Sequence, residues 1–233
     1  KMNELLNLEQ KLFKTFSIFS FFSILTFTIS LALFSSKYAV TDITYKSNID
    51  LNYNSFSLVQ GKSIWLIDES DFSQFYEDNL NVKSLFINKQ LPNSVFIDIV
   101  VYEKIIIIRD LRDTLPKEVV LYKNLYTESS KSNNLLPHLI VTNGPIPNGF
   151  YSEILSLILT LKKYDLSIED LSMTYDGSVL IGTYKETLIN IGRPLDLSKK
   201  GSVVGYLLES ESCDGEVTIL DSENEDIETI LNC

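Results

Sequence analysis

The sequence is poor in the residues that hold metal ions. It contains two cysteines, Cys213 and Cys233, and a single histidine, His138. There is no C-x-x-C pair and no cluster of cysteine with histidine, so we predict no structural zinc site. His138 has no aspartate or cysteine at a spacing that indicates catalysis, so we expect it to be a structural or surface residue. We interpret each cysteine as an inert thiol, although the two could form one disulfide in an oxidising compartment.

Recognisable catalytic motifs are also lacking. The sequence has no G-x-S-x-G, no phosphate-binding loop, no G-x-G-x-x-G and no H-E-x-x-H pattern. Adjacent carboxylates occur at Glu169-Asp170, but glycosidase chemistry requires two carboxyl groups that face each other across a cleft. A solvated acidic surface is the better interpretation of such pairs. We therefore predict no catalytic residue, no cofactor, no metal and no small-molecule substrate, and we expect the protein not to be an enzyme.

Basic residues are outnumbered by acidic ones. The chain has 20 Lys and Arg against 31 Asp and Glu, a formal net charge of −11 at pH 7. Binding to nucleic acid depends on clustered lysine and arginine that neutralise phosphates, so this composition argues against a nucleic-acid partner. The acidic balance is interpreted as a contribution to solubility.

One long uncharged run lies near the N-terminus. Between Lys14 and Lys37 there is no charged residue, and at about 1.5 Å per residue this run can cross a hydrocarbon core of about 30 Å. We predict a cytoplasmic tail at 1–14 and a single transmembrane helix at 15–36, with the acidic remainder outside the cytoplasm. A signal peptide cleaved near Ser30-Leu31-Ala32 and a buried soluble helix are the alternatives.

The stretch 61–103 has the periodicity of a helix followed by two strands. Asp68 and Ser70 can cap a helix, and 72–76 has apolar residues at helical spacing. Residues 82–87 and 95–101 predict two strands joined by a turn, the second alternating as a strand buried on one face. We expect these strands to pair antiparallel and to pack on the helix. The predicted core is Trp65, Ile67, Phe72, Phe75, Val82, Leu85, Ile97 and Ile99.

This stretch resembles the POTRA domain of the bacterial cell-division proteins FtsQ and DivIB. The resemblance comprises a glycine, an apolar-Asp pair, a helix, two strands, a lysine before a proline and a glutamate: Gly61, Ile67-Asp68, 72–79, 82–87, Lys89, Pro92, 95–101 and Glu103. The family's opening strand is similar to 43–48, with Ser47 in place of the usual glycine. Glu103 falls later than usual, and the segment expected to form the first helix, 48–61, is short.

The second half of the chain alternates helix and strand patterns. We predict helices at 150–163 and 197–208, and a hairpin turn at Asp176-Gly177. Strands are predicted at 105–108, 119–122, 171–175, 179–184, 187–191, 217–221 and 227–231. The segment 136–139, Leu-Pro-His-Leu, is similar to the L-P-x-L that follows the POTRA domain in the family. The segment 217–221 resembles a family strand but lacks its arginine.

The expected fold class is α+β. It comprises a single N-terminal transmembrane helix, a POTRA-like β-α-β-β domain at 40–110 and a second mixed domain with an antiparallel sheet at 111–233. The resemblance implies a non-catalytic scaffold of the divisome in the cell inner membrane, which binds FtsB- or DivIC-type and FtsL-type proteins and helps to control septal peptidoglycan synthesis. A POTRA-bearing accessory of membrane protein translocation or assembly is the alternative, and a secreted enzyme has no supporting motif.

The predicted partner-binding residues lie near the end of the chain. No further segment follows to pair with the strand at 227–231, so we expect it to be an edge strand. We predict that the backbones of Ile227, Thr229 and Leu231 pair with an extended segment of the partner, as in other β-augmentation complexes. Lys199 and Lys200, on the helix before it, are expected to attract an acidic segment of that partner.

Overall fold

The first element of the computed structural model is one long helix. The structure describes residues 2–129, 135–210, 215–221 and 227–232. The helix, α1, runs Met2–Phe34, so residues 2–14 of the predicted tail belong to it. Its segment Phe13–Leu31 is long and apolar enough to cross a membrane, and none of that segment is buried against the rest of the described chain. Cys213 and Cys233 lie outside the described residues.

Hydroxyl groups inside α1 are satisfied within the helix. The Thr26 hydroxyl donates to the carbonyl oxygen of Ser23, and the Thr28 hydroxyl to that of Leu25, each over 2.9 Å. These bonds lower the cost of placing threonine in an apolar environment, because an unpaired hydroxyl there is costly. The polar residues of the run are therefore compatible with a membrane-spanning helix.

The chain divides into two compact units, Lys1–Val101 and Tyr102–Cys233. After α1, the first unit has a three-stranded sheet of β1 Asp42–Lys46, β2 Val82–Gln90 and β3 Ser94–Val101, with helical segments Ser36–Tyr38, Asn54–Leu58, Glu69–Phe72 and α2 Ser73–Asp78. The strand order is β1-β3-β2. Strand β3 is parallel to β1 and antiparallel to β2. As predicted, a helical segment precedes a strand, a turn and a second strand.

Asp68 begins the helical segment of the first unit. Its carboxylate accepts from the backbone N–H of Ser70 at 2.9 Å, and the Asp71 carboxylate accepts from the N–H of Asp68 at 3.0 Å. This reciprocal pair is a capping box, which satisfies donors that a helix start leaves unpaired. The prediction that Asp68 caps this helix is confirmed.

The core of the first unit is rich in aromatic side chains. The Phe75 ring lies 4.6 Å from that of Phe56, between centroids, and both are buried together with every predicted core residue except one. The exception is Trp65, whose side chain is 44% exposed. Ile64 and Ile67 turn inward from the same loop, and Trp65 between them faces outward. The prediction that Trp65 is buried is therefore wrong.

The second unit is built on a nine-stranded sheet. Two helices accompany it, α3 Phe150–Leu161 and α4 Leu197–Ser210. In sequence, the strands are β4 Lys104–Asp110, β5 Lys117–Tyr122, β6 Thr127–Ser129, β7 His138–Val141, β8 Leu171–Tyr175, β9 Leu180–Tyr184, β10 Thr187–Gly192, β11 Glu216–Asp221 and β12 Ile227–Asn232. In space, their order is β12-β11-β10-β9-β8-β7-β4-β5-β6. The strand β4 belongs to this sheet, whereas the predicted boundary at 110 lies after it.

The large sheet is mixed and not simply antiparallel. Strands β7 and β8 are parallel and are connected through α3, and β10 and β11 are parallel and are connected through α4. A helix between two neighbouring strands returns the chain to the same end of the sheet, so the second strand runs parallel to the first. Strands β4 and β7 are also parallel. The expectation of an antiparallel sheet thus holds only for the remaining pairs.

Helices α3 and α4 pack closely against each other. A Cβ atom at Gly201 would lie 2.9 Å from the Cδ1 atom of Leu157, and one at Gly205 would lie 2.3 Å from the ring of Tyr164. Glycine at 201 allows α4 to approach α3, and glycine at 205 leaves room for the Tyr164 ring, in the turn that follows α3. Their inward side chains form one core with alternate residues of the sheet, including Met173. This packing holds α4 in place between β10 and β11, and β11 is the strand with which β12 pairs.

Candidate partner-binding edge

Strand β12 forms one edge of the nine-stranded sheet. It pairs antiparallel with β11 along its whole length, from Glu216 opposite Asn232 to Asp221 opposite Ile227. Within the described parts of the chain, no strand lies on its other side. The half-buried side chain of Ile227 packs against the main core of the unit. The prediction that 227–231 form an edge strand is confirmed for the described part of the chain.

The register of β11 determines which backbone groups of β12 face outward. The N–H of Leu188 in β10 donates to the carbonyl oxygen of Gly215 over 2.9 Å. Backbone direction alternates along a strand, so the odd-numbered residues of β11 bond to β10 and the even-numbered ones to β12. The antiparallel register then directs the N–H and C=O groups of Ile227, Thr229 and Leu231 away from β11.

These outward groups are the ones that the sequence predicted for partner pairing. An edge with unpaired donors and acceptors in a row can accept a further strand. Thr229 and Leu231 lie opposite Ile219 and Val217, which are buried, while Ile230 projects from the other face and is exposed. An added strand would therefore find apolar side chains on both faces of the sheet edge.

The two predicted lysines have different environments. Lys199 is exposed at the start of α4. Lys200 is only 2% exposed, and its Nζ donates to the carbonyl oxygen of Arg193 over 2.8 Å. Lys200 lies on the face of α4 that packs on the unit, between Leu197 and Val204, which are also buried. A side chain held there cannot reach a partner at the surface, so the proposed role of Lys200 in attracting the partner is wrong.

Topology places Lys199 at the end of the sheet where β12 begins. Helix α4 starts beyond the carboxyl end of β10 and returns to the amino end of β11, and β12 starts again at the carboxyl end of β11. Tyr206, which was not among the predicted site residues, follows Lys199 by two helical turns and is also exposed. Exposed tyrosines are common in protein interfaces. The spacing of seven residues between Lys199 and Tyr206 is a sequence signal that both lie on the same face of α4.

His138 and the Glu169-Asp170 pair belong to different elements of the second unit. His138 begins β7 and is half-buried between β4 and β8, opposite Ile107 and Ser172. Glu169 and Asp170 lie exposed in the helical turn Ile168–Asp170. Among the described residues, no three His, Cys, Asp or Glu side chains are grouped closely enough to hold a metal ion.

An open cleft of about 490 Å³ lies in the first unit, lined in part by Lys62 and Asp71. Their ammonium and carboxylate groups form an ion pair at 2.7 Å. The hydrogen bond from Lys62 and the backbone hydrogen bond from Asp68 lower the pKa of the Asp71 carboxyl. The cleft therefore presents a charge pair that is already satisfied.

Comparison with known proteins gives no relative from which a function could be transferred. No protein-family model matches this sequence, and no curated protein matches it. The short sequence motifs and the geometry of the β12 edge are the features of this chain that indicate a function.

Proposed function

We propose that the protein is a single-pass scaffold of bacterial cell division, of the FtsQ and DivIB kind. The observation that carries the proposal is the open edge of β12, where Ile227, Thr229 and Leu231 direct backbone groups outward. A helix suited to a membrane begins the first unit, before its sheet. The order β1, helical segments, β2 and β3 in the first unit supports a POTRA-like domain, and the second unit corresponds to the family's β domain.

The scaffold acts by β-augmentation and catalyses no reaction. An extended segment of an FtsB- or DivIC-type partner, itself associated with an FtsL-type protein, adds a tenth strand next to β12. Backbone hydrogen bonds supply affinity, and the apolar side chains beside the edge supply contact area. Lys199 contributes weakly, since an exposed ion pair is worth only about 0–1 kcal/mol. Through this complex the protein helps to control septal peptidoglycan synthesis.

Helix α1 anchors the scaffold in the cell inner membrane, with the N-terminus in the cytoplasm and the sheets of both units outside it. Replacing Ile24 and Leu25 by aspartate is expected to abolish insertion, because each aspartate near the helix centre costs about 2.5 to 3.5 kcal/mol. Carbonate extraction of membranes separates inserted from peripheral chains. A mature protein that begins near Leu33 would show a cleaved signal peptide and contradict the anchor.

Co-purification from native membranes tests the proposal as a whole. The full-length chain, tagged at its N-terminus, is isolated in mild detergent and the proteins bound to it are identified. Recovery of FtsB- or DivIC-type and FtsL-type proteins is the expected result. Recovery of a β-barrel or of translocation components would instead support the alternative, an accessory of membrane protein translocation or assembly.

A further inference from the structure

The loop that carries Trp65 is bonded to the chain just after α1. The N–H of Ile64 donates to the carbonyl oxygen of Tyr38 at 2.8 Å, and the N–H of Val40 to that of Lys62 at 2.9 Å. Ala39 and Ser63 form an isolated antiparallel bridge. The Trp65 ring also lies 5.7 Å from that of Tyr38, between centroids. This loop therefore moves with residues 38–40.

Residues 38–40 cannot be far from the end of α1. Tyr38 is four residues after Phe34, the last residue of the helix. Four residues of fully extended chain span at most about 14 Å, and the helical turn Ser36–Tyr38 shortens this reach. If α1 spans the membrane, the loop lies within the headgroup region or directly above it.

A second element meets the same part of the unit. The turn between β2 and β3 is bonded to Thr41, whose N–H donates to the carbonyl oxygen of Asn93 at 3.0 Å. The Lys89 ammonium, beside this turn, donates to the carbonyl oxygen of Trp65 at 3.2 Å. The turn carries Leu91, which is 57% exposed, and the loop carries Leu66, which is 56% exposed.

We propose that Trp65, Leu66 and Leu91 form a surface that inserts into the outer headgroup region of the bilayer crossed by α1. We call these three residues the interfacial patch. Tryptophan is enriched at membrane interfaces, where its ring is apolar and its N–H reaches water. Lys37, Lys62 and Lys89 are exposed around the patch and place ammonium groups at the level of lipid phosphates. The proposal rests on the membrane anchoring under the proposed function.

The patch limits the freedom of the first unit. A unit tethered only by residues 35–37 could tumble above the membrane, whereas insertion of three apolar side chains fixes which of its sides faces the lipid. Of the three lysines around the patch, Lys62 is paired with Asp71, which leaves Lys37 and Lys89 to meet lipid phosphates. Insertion of the three apolar side chains is expected on zwitterionic lipid, because its phosphates are sufficient partners for these two ammonium groups.

The sole tryptophan of the chain is a direct reporter of this contact. The full-length protein is reconstituted into phosphatidylcholine vesicles with or without bromine on the acyl chains close to the headgroup. We expect the Trp65 emission to shift to shorter wavelength on reconstitution, to lose intensity in the brominated vesicles, and to be shielded from aqueous iodide. Equal emission in both kinds of vesicle, together with full access to iodide, would overturn the proposal.

Matched leucine variants separate the patch from general apolar exposure. Leu66→Asp and Leu91→Asp are expected to reduce quenching by brominated lipid. The control, Leu80→Asp, changes a leucine of similar exposure, 55%, at the other end of β2. This variant is expected to leave the quenching by brominated lipid unchanged. An equal loss of quenching in Leu80→Asp would contradict the assignment of the interfacial patch. If a variant does not fold, the quenching of the wild-type protein decides whether Trp65 contacts lipid. A chain released by carbonate contradicts both the anchor and the patch, whereas an anchored chain with unquenched Trp65 contradicts the patch alone.

Discussion

The Nζ atom of Lys200 donates a hydrogen bond to the carbonyl oxygen of Arg193 over 2.8 Å, from a side chain that is almost completely buried. The bond joins the first turn of α4 to the segment that leaves β10. Its neighbour Lys199 faces solvent. Two adjacent lysines therefore have different environments. Lys200 is part of the packed interior, and Lys199 lies at the surface.

This difference predicts that the two alanine variants differ in stability. Lys200→Ala is expected to lower the free energy of unfolding by about 2 kcal/mol or more, because it removes a buried hydrogen bond from a charged group. Lys199→Ala is expected to change it by less than about 0.5 kcal/mol, as is usual for surface substitutions. Urea unfolding of the full-length protein in detergent, followed by far-ultraviolet circular dichroism, measures both. Equal effects of the two variants would contradict the assignment.

Phe75 lies at the centre of the first unit. It is 0% exposed and contacts the ring of Phe56. Phe75→Ala should lower the free energy of unfolding of this unit by about 3 to 5 kcal/mol, the range for an aromatic residue that leaves a cavity. Phe86→Ala, at an exposed site on β2, is the control and should cost less than about 1 kcal/mol. Trp65 fluorescence reports unfolding of this unit, and a small effect at Phe75 would show that α2 does not pack there.

Tyr76 predicts a pH dependence of stability at alkaline pH. Its hydroxyl donates to the Glu69 carboxylate and accepts from the N–H of Leu85. Burial, followed by the hydrogen bond to Glu69, raises the pKa of Tyr76 to about 12. In the unfolded chain the pKa is about 10, so the unfolded state loses its proton first. The contribution of Tyr76 is complete below about pH 10 and is lost as the pH rises to about 12.

The measurement is the free energy of unfolding of the first unit across this pH range. Tyr76→Phe should show a shallower decline between pH 10 and 12 than the wild type, since phenylalanine has no proton to lose. Tyr45→Phe, a change at an exposed tyrosine, should keep the wild-type slope. An unchanged slope in Tyr76→Phe would show that the hydroxyl does not titrate in this way.

Local periodicity was sufficient to predict many of the elements. The apolar face of α3 and the alternation of β8, β9 and β10 are complete within their own segments, and Gly177 occupies the positive-φ position that the hairpin turn requires. Strand β7 was not predicted, because it has only four residues and follows a proline. Its parallel pairing with β4 joins segments distant in sequence, which a local pattern does not reveal.

The candidate site was predictable only in part. The described strands place β12 at an edge of the sheet, as predicted. Which of its residues point outward depends on the bond between Leu188 and Gly215, and this register is not encoded in β12 itself. The burial of Lys200 did have a signal, since Leu197, Gly201 and Val204 mark the inward face of α4 on either side of it.

The opposite edge of the large sheet provides a matched control for β12. The N–H of Tyr122 donates to the carbonyl oxygen of Tyr126 over 2.8 Å. By the same alternation, the N–H of Thr127 in β6 points away from β5. Thr127 and Thr229 are therefore threonines in edge strands whose N–H groups face outward. Proline at either position removes an outward donor without breaking a bond inside the sheet.

Co-purification of the Thr229→Pro and Thr127→Pro variants tests the central claim most directly. Each full-length variant is isolated from native membranes after circular dichroism has shown that it is folded, and the bound FtsB- or DivIC-type partner is quantified against wild type. We predict that Thr229→Pro loses the partner and that Thr127→Pro retains it. Recovery of the partner at the wild-type level with Thr229→Pro would contradict docking at β12.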